Sequence, residues 1–207
     1  YEGGPGEQAG LKTGDVIKAI DGTDVTEKET SDIASMVRDS EKDSVTLTIQ
    51  RENEEKTQDI KVEIRDVEIK TVSHEMLSED TGYIRISEFS EVTSDQYKKA
   101  FADLKSQGMK KLVVDLRDNP GGLLNTVCDI LRQILPEGLI VYTEDKNGKR
   151  EEETCDGKNE LDIPLAVLVN ENSASASEIF AGAVKDYGTG TIVGTTTYGK
   201  GVVQTIQ

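Results

Sequence analysis

A serine attacks a carbonyl only if a base accepts its proton and a set of donors receives the oxyanion that forms. Three short segments of this 207-residue chain carry residues of those types. The first is Asn170–Glu178, which contains the run Ser173-Ala174-Ser175-Ala176-Ser177. It follows the apolar stretch Leu165–Val169 and precedes the helical pattern Ile179–Val184, so it reads as a strand, a sharp turn and a helix with serines at the turn. A serine exposed there is well placed to be a nucleophile. The same letters also fit a helix cap, because Ser175 and Glu178 have the Ser-x-x-Glu spacing of a capping box. The second segment is Tyr198-Gly199-Lys200-Gly201, after the strand-like Thr191–Gly194, and its lysine is a candidate base. The single histidine, His74, sits in what reads as a polar connector, a solvated linker position with no sign of a general base.

The third segment is Lys111–Leu124. Leu112–Leu116 reads as a buried strand, Asp118-Asn119-Pro120-Gly121-Gly122 as a turn, and Leu123–Leu135 as a helix. Two glycines at a helix entrance let the backbone approach a ligand and aim N–H groups at an anion. The alternative is an ordinary strand-to-helix loop, since Asn-Pro-Gly is common turn chemistry.

The elements that must hold these segments follow from periodicity. Asp66 reads as a boundary, giving one domain over 1–66 and another over 67–207. In the first, Gly10–Asp15 is turn chemistry, Val16–Ile20 a short strand, Asp21-Gly22 a tight turn and Glu29–Asp39 an amphipathic helix. Val45, Leu47 and Ile49 alternate, as do Ile60, Val62 and Ile64 across the polar Glu52–Glu55 turn, which predicts a hairpin. In the second, Val67–Asp80 reads as a charged connector, Tyr83–Ile86 as a strand, and Thr93–Gln96 as the cap of a helix through Leu104 that stops at Gly108. Tyr97, Phe101 and Leu104 are predicted to line its buried face.

Hydrophobic residues make up 35% and charged residues 31%, a balance that suits folded domains. The formal charge of −16 argues against a nucleic-acid partner, which needs clustered Lys and Arg. Acidic runs such as Glu151–Glu153 read as solvated turns. Cys128 falls on a buried helical face and Cys155 in a polar loop, so two free thiols are expected, and two cysteines with one histidine make no metal-ligand pattern. No apolar run is long enough to span a bilayer.

Taken together, Asp115–Leu124, Ser173–Ala183 and Tyr198–Gln204 resemble the carboxy-terminal processing proteases, also called tail-specific proteases, in order, spacing and residue type. Gly3–Val25 resembles the middle of a PDZ domain of bacterial proteases. The resemblance implies an α/β protein (α+β overall): a partial PDZ domain followed by a crotonase-like or Clp-protease-like α/β catalytic core. It implies a serine endopeptidase acting by acyl transfer, with Ser175 as nucleophile and Lys200, 25 positions later, as base. It further implies that Gln204 supports the lysine and that the oxyanion hole is built from the N–H of Ala176 and of Gly121 or Gly122. No cofactor or metal is implied. The implied partners are proteins or peptides with exposed C-termini, and the implied location is extracytoplasmic: membrane-associated, periplasmic or secreted in a bacterium. The family's PDZ domains begin ahead of the segment at Tyr1 and its catalytic domains continue beyond Gln207, so the resemblance also implies a protein cut at both ends. Two other readings stay open at this point: a peptide-binding or scaffolding protein with an inactive catalytic half, and a crotonase-like acyl-CoA enzyme, against which the PDZ-like half and the Ser175/Lys200 pair both argue.

Overall fold

The computed structural model describes residues 3–54, 56–67 and 69–202, and the chain divides into two compact units, Tyr1–Ile69 and Lys70–Gln207. The first unit runs α1 (Pro5–Gln8), β1 (Val16–Ile20), β2 (Thr23–Asp24), α2 (Thr30–Arg38), β3 (Ser44–Gln50) and β4 (Thr57–Glu63). Its strands form one antiparallel sheet in the order β2-β1-β3-β4. Asp21 and Gly22 both have positive φ, 47° and 79°, the geometry a tight hairpin turn demands. The alternation read in the sequence sets the β3–β4 register, which pairs Val45 with Val62 and Leu47 with Ile60. Those side chains, Ile20 and Ile49 make a small core against which Ile33, Met36 and Val37 of α2 pack.

The second unit runs β5 (Val72–Met76), β6 (Thr81–Ile86), α3 (Thr93–Ser106), β7 (Lys111–Asp115), α4 (Leu124–Leu131), β8 (Gly138–Glu144), β9 (Arg150–Cys155), β10 (Leu165–Val169), α5 (Ala176–Tyr187) and β11 (Thr191–Gly194). Five strands form a sheet in the order β11-β10-β7-β6-β5, parallel except for β5 at one edge. The near-continuous apolar runs of β7 and β10 fit their central places, where both faces of a strand are covered. Leu112, Val114 and Leu116 from β7 and its end, with Val167 and Val169 of β10, meet Val127 and Leu131 of α4 and Phe180 and Val184 of α5 in one core. β8 and β9 form a separate antiparallel pair.

Several sequence expectations are corrected here. The stretch read as a connector contains β5, because the backbone from Val72 to Met76 completes its hydrogen bonds on β6. His74 therefore lies on an edge strand, and its Nε2 is 2.8 Å from Asp103 Oδ2 on α3 rather than in a solvated linker. Glu151–Glu153 is strand, not turn: pairing with β8 and ion pairs from Lys149 to Glu151, Arg132 to Glu153 and Arg150 to Glu144 offset the poor strand preference of glutamate. Cys155 is not in a loop but ends β9, buried, with its Sγ 3.3 Å from the Leu135 carbonyl oxygen. α4 ends at Leu131, short of Leu135, because the chain tightens into i→i−3 bonds at Gln133 and Ile134 ahead of Pro136, which cannot continue a helix. The cap read at Thr93 is absent: its hydroxyl oxygen accepts the Ser90 N–H at 2.9 Å, and Gln96 Oε1 accepts the N–H groups of Thr71 and Val72.

Candidate active site

β7, β10 and β11 are parallel neighbours, so the segments that leave their C-terminal ends emerge along one edge of the sheet. Those segments are the three singled out by residue type, and in open α/β sheets this edge is where ligands bind. Ser175 sits at the turn from β10 into α5 with φ 54° and ψ −114°, a conformation rarely adopted by a residue with a side chain. Such strain, on the order of 1–3 kcal/mol, persists only where surrounding contacts impose it, and it presents the side chain at a sharp strand-to-helix bend.

The contacts that impose it come from the β7–α4 turn. Asn119, fully buried, gives its side-chain amide to the Ile86 carbonyl at 2.9 Å, while its own carbonyl accepts the Ala174 N–H and the Ser177 hydroxyl, both at 3.0 Å. The Ser173 hydroxyl donates to the Leu116 carbonyl at 2.7 Å. Asp118, with φ 63°, accepts the side-chain amides of Asn170 at 2.9 Å and Asn172 at 2.8 Å, and these two bonds, Asn172 foremost, hold its carboxyl below the usual range. Beneath the turn, burial pushes the Asp115 carboxyl up, but hydrogen bonds from Arg117 and Tyr83 outweigh it and keep the group ionised. Two loops far apart in sequence are thereby fixed against each other. Of the three serines, Ser173 and Ser177 are fully buried with their hydroxyls engaged by backbone carbonyls, whereas Ser175 is only partly buried.

The glycines divide their roles. An added Cβ on Gly121 would lie 2.7 Å from the Ala174 oxygen, 2.8 Å from Ser175 Cβ and 2.9 Å from the Ala176 nitrogen, so only glycine allows the turns to approach this closely. The Gly121 N–H is directed inward to Asn119 Oδ1 at 2.8 Å. Gly122 is exposed, and its N–H donates no hydrogen bond to any other described residue, because the bridge to Phe89 uses the Gly121 carbonyl and the Leu123 N–H instead. The N–H groups of Ser177, Glu178 and Ile179 turn back onto Ala174 and Ser175, but that of Ala176 likewise donates to no other described residue. Two backbone donors, Ala176 and Gly122, thus have no partner among the described residues, each following a residue, Ser175 or Gly121, at which the two turns meet.

The lysine segment is drawn to the same place. The Tyr198 N–H donates to the Ser173 carbonyl at 3.0 Å. The Glu178 carboxylate, in the first turn of α5, accepts the N–H groups of Gly199 at 2.6 Å and Lys200 at 2.8 Å, together with the Ser175 N–H at 2.9 Å. Lys200 is partly buried. Gln204 lies outside the described residues. The Ser-x-x-Glu spacing signalled Glu178, but as a cap alone; nothing local in the sequence pointed to its bonds with a segment some 20 residues away. Asn119 was likewise readable only as turn chemistry. His74 belongs to the opposite edge of the sheet, bonded to Asp103. No cluster of three or more His, Cys, Asp or Glu that could hold a metal occurs among the described residues.

The arrangement offers a strained serine, a nearby lysine segment and backbone N–H donors, the parts of an acyl-transfer site. The family model for peptidase family S41 matches residues 80–207, and that for a PDZ domain matches residues 1–51. A carboxyl-terminal-processing protease of Synechocystis sp. is 38% identical over 208 aligned positions, covering 99% of this chain and 49% of the relative. A probable CtpA-like serine protease of Staphylococcus aureus is also 38% identical, covering 99% of this chain and 41% of the relative. Among solved structures, a photosystem II D1 C-terminal processing protease superposes with a TM-score of 0.62 at 34% identity, covering 98% of this chain and 56% of that one. The chain spans about half the length of the curated relatives it matches.

Proposed function

The chain belongs to peptidase family S41, and from that premise we propose that it carries the catalytic site of a serine endopeptidase that cleaves proteins near exposed C-terminal tails. Neutral Lys200 takes the proton of the Ser175 hydroxyl as the oxygen attacks the scissile carbonyl. The oxyanion is received by the N–H groups of Ala176 and Gly122. Collapse of the tetrahedral adduct breaks the C–N bond, Lys200 returns the proton to the leaving amine, and water then hydrolyses the acyl-enzyme by the same route in reverse. Gln204 has the family role of supporting the lysine.

The observation that carries this reading is the allocation of donors around the Ser175 turn. The Ser173 and Ser177 hydroxyls are engaged by backbone carbonyls, while the N–H groups of Ala176 and Gly122 have no partner among the described residues. In other proteins PDZ domains capture C-terminal peptides by strand addition, which supports tails as the substrate class. The resemblance also supports a place of action outside the cytoplasm or at its membrane, which cell fractionation tests. The decisive experiment is peptide hydrolysis by the full-length protein beside its Ser175→Ala variant. The variant should fold, lose about 1 kcal/mol at most, and show no turnover. Retained turnover in the alanine variant would overturn the assignment.

A further inference from the structure

We propose that Glu178 is a positioning residue that holds the Lys200 segment against the Ser175 turn; the inference rests on the reading of Ser175 and Lys200 as nucleophile and base. The carboxylate is saturated in a definite pattern. Oε1 accepts the Thr197 hydroxyl at 2.9 Å and the Gly199 N–H at 2.6 Å, and Oε2 accepts the Ser175 N–H at 2.9 Å and the Lys200 N–H at 2.8 Å. One oxygen therefore bonds the backbone N–H of both members of the proposed dyad. A helix cap needs only the Ser175 bond. The other three go to a stretch of chain beyond β11 that has no helix or strand of its own, so Thr197, Gly199 and Lys200 all bond this one side chain, beside the bond from the Tyr198 N–H to the Ser173 carbonyl. Burial pushes the Glu178 carboxyl up, but the bonds from Gly199, Lys200, Ser175 and Thr197 outweigh it and hold the group ionised below the usual glutamate range. Bonds to an ionised acceptor are the stronger kind.

The geometry separates this role from capping. Glutamine closes a capping box as well as glutamate does. It has one acceptor oxygen, so its NH2 would face either the N–H groups of Ser175 and Lys200 or that of Gly199, none of which can accept from it; only the Thr197 hydroxyl can turn to do so. A cap alone predicts a near-silent Glu178→Gln; a clamp predicts that the lysine segment comes loose.

The test compares the full-length protein with its Glu178→Gln and Thr197→Val variants, measuring peptide kcat and KM, the thermal midpoint, and amide hydrogen exchange at Gly199 and Lys200. Misplacing a reacting group by about 1 Å costs roughly 10²-fold in rate. Glu178→Gln should therefore lower kcat about 100-fold with KM within about threefold, and exchange should speed up at Gly199 and Lys200 while β7 and β10 stay protected. Thr197→Val removes one donor and should lower kcat by about two- to tenfold. A folded Glu178→Gln protein with kcat within about threefold of wild type and unchanged exchange at both amides overturns the proposal. If the wild type itself hydrolyses no peptide, the catalytic reading fails separately, and the exchange measurement still decides whether Glu178 holds the segment.

Discussion

Replacing Gly121 by alanine tests whether the close approach of the two turns sets the geometry of the site. Gly121 has φ 104°, and a Cβ built on it meets the Ala174 oxygen at 2.7 Å, Ser175 Cβ at 2.8 Å and the Ala176 nitrogen at 2.9 Å. All three belong to the Ser175 turn and none is the far end of a flexible side chain, so the turn itself must move. Restoring ordinary contact distances of about 3.5 Å requires a displacement on the order of 0.5–1 Å. Two costs follow. Strain at positive φ contributes about 1–2 kcal/mol, and overpacking about 1–3 kcal/mol more. Catalysis should fall roughly 10²-fold, since on the proposed mechanism Ser175 and the Ala176 donor are displaced together from the scissile carbonyl. The assay is initial-rate peptide hydrolysis alongside urea unfolding. Gly148→Ala is the control: it shares a positive φ, 79°, but an added Cβ there meets nothing within 4 Å. It should cost about 1 kcal/mol of stability and leave turnover unchanged. A Gly121→Ala protein with wild-type turnover and stability would refute the close-packing argument.

The serines should separate cleanly. Ser173→Ala and Ser177→Ala each remove a buried bond to a backbone carbonyl and should cost about 1–2 kcal/mol in denaturant unfolding. Both should retain turnover per folded molecule, and loss of turnover in a stable Ser177→Ala protein would contradict the allocation. Lys200→Arg keeps the charge but supplies a guanidinium that does not deprotonate in proteins, so a pH–rate profile should show no activity at any pH; near-wild-type rates would exclude Lys200 as base. In acid, Glu178 and Asp115 both have carboxyls lowered by folding. Their stabilisation is present above the unfolded values of about 4 and is lost as pH falls through the folded ones. Stability followed by urea unfolding should therefore hold from neutrality to about pH 4.5 and decline below it, less steeply in Glu178→Gln. Stability that rises between pH 5 and pH 3 would reverse the sign argued here.

Much of the frame was legible in the sequence because it rests on local signals. Period-two alternation set β3 against β4, the apolar runs marked β7 and β10, and helical spacing found α2, α3, α4 and α5 to within a turn or so. The three chemical segments were legible too, since serine, lysine and paired glycines sit at strand ends that their flanking patterns announce. β5 and β9 were not, because polar strands exist only through the partners that complete their backbone bonds. Periodicity and residue type could not say which serine of three keeps its hydroxyl off the backbone carbonyls, a choice made only by the family resemblance, nor which glycine N–H is engaged within the turn, nor that Glu178 does more than cap a helix. Those answers depend on where each donor and acceptor finds its partner, and here the partners lie on separate loops at one end of the sheet: Asn119 for Ser177 and Gly121, Leu116 for Ser173, and the Glu178 carboxylate for Ser175 and Lys200. Residue type fixes how many hydrogen bonds a group can make, and only the parallel alignment of β7, β10 and β11 decides with whom.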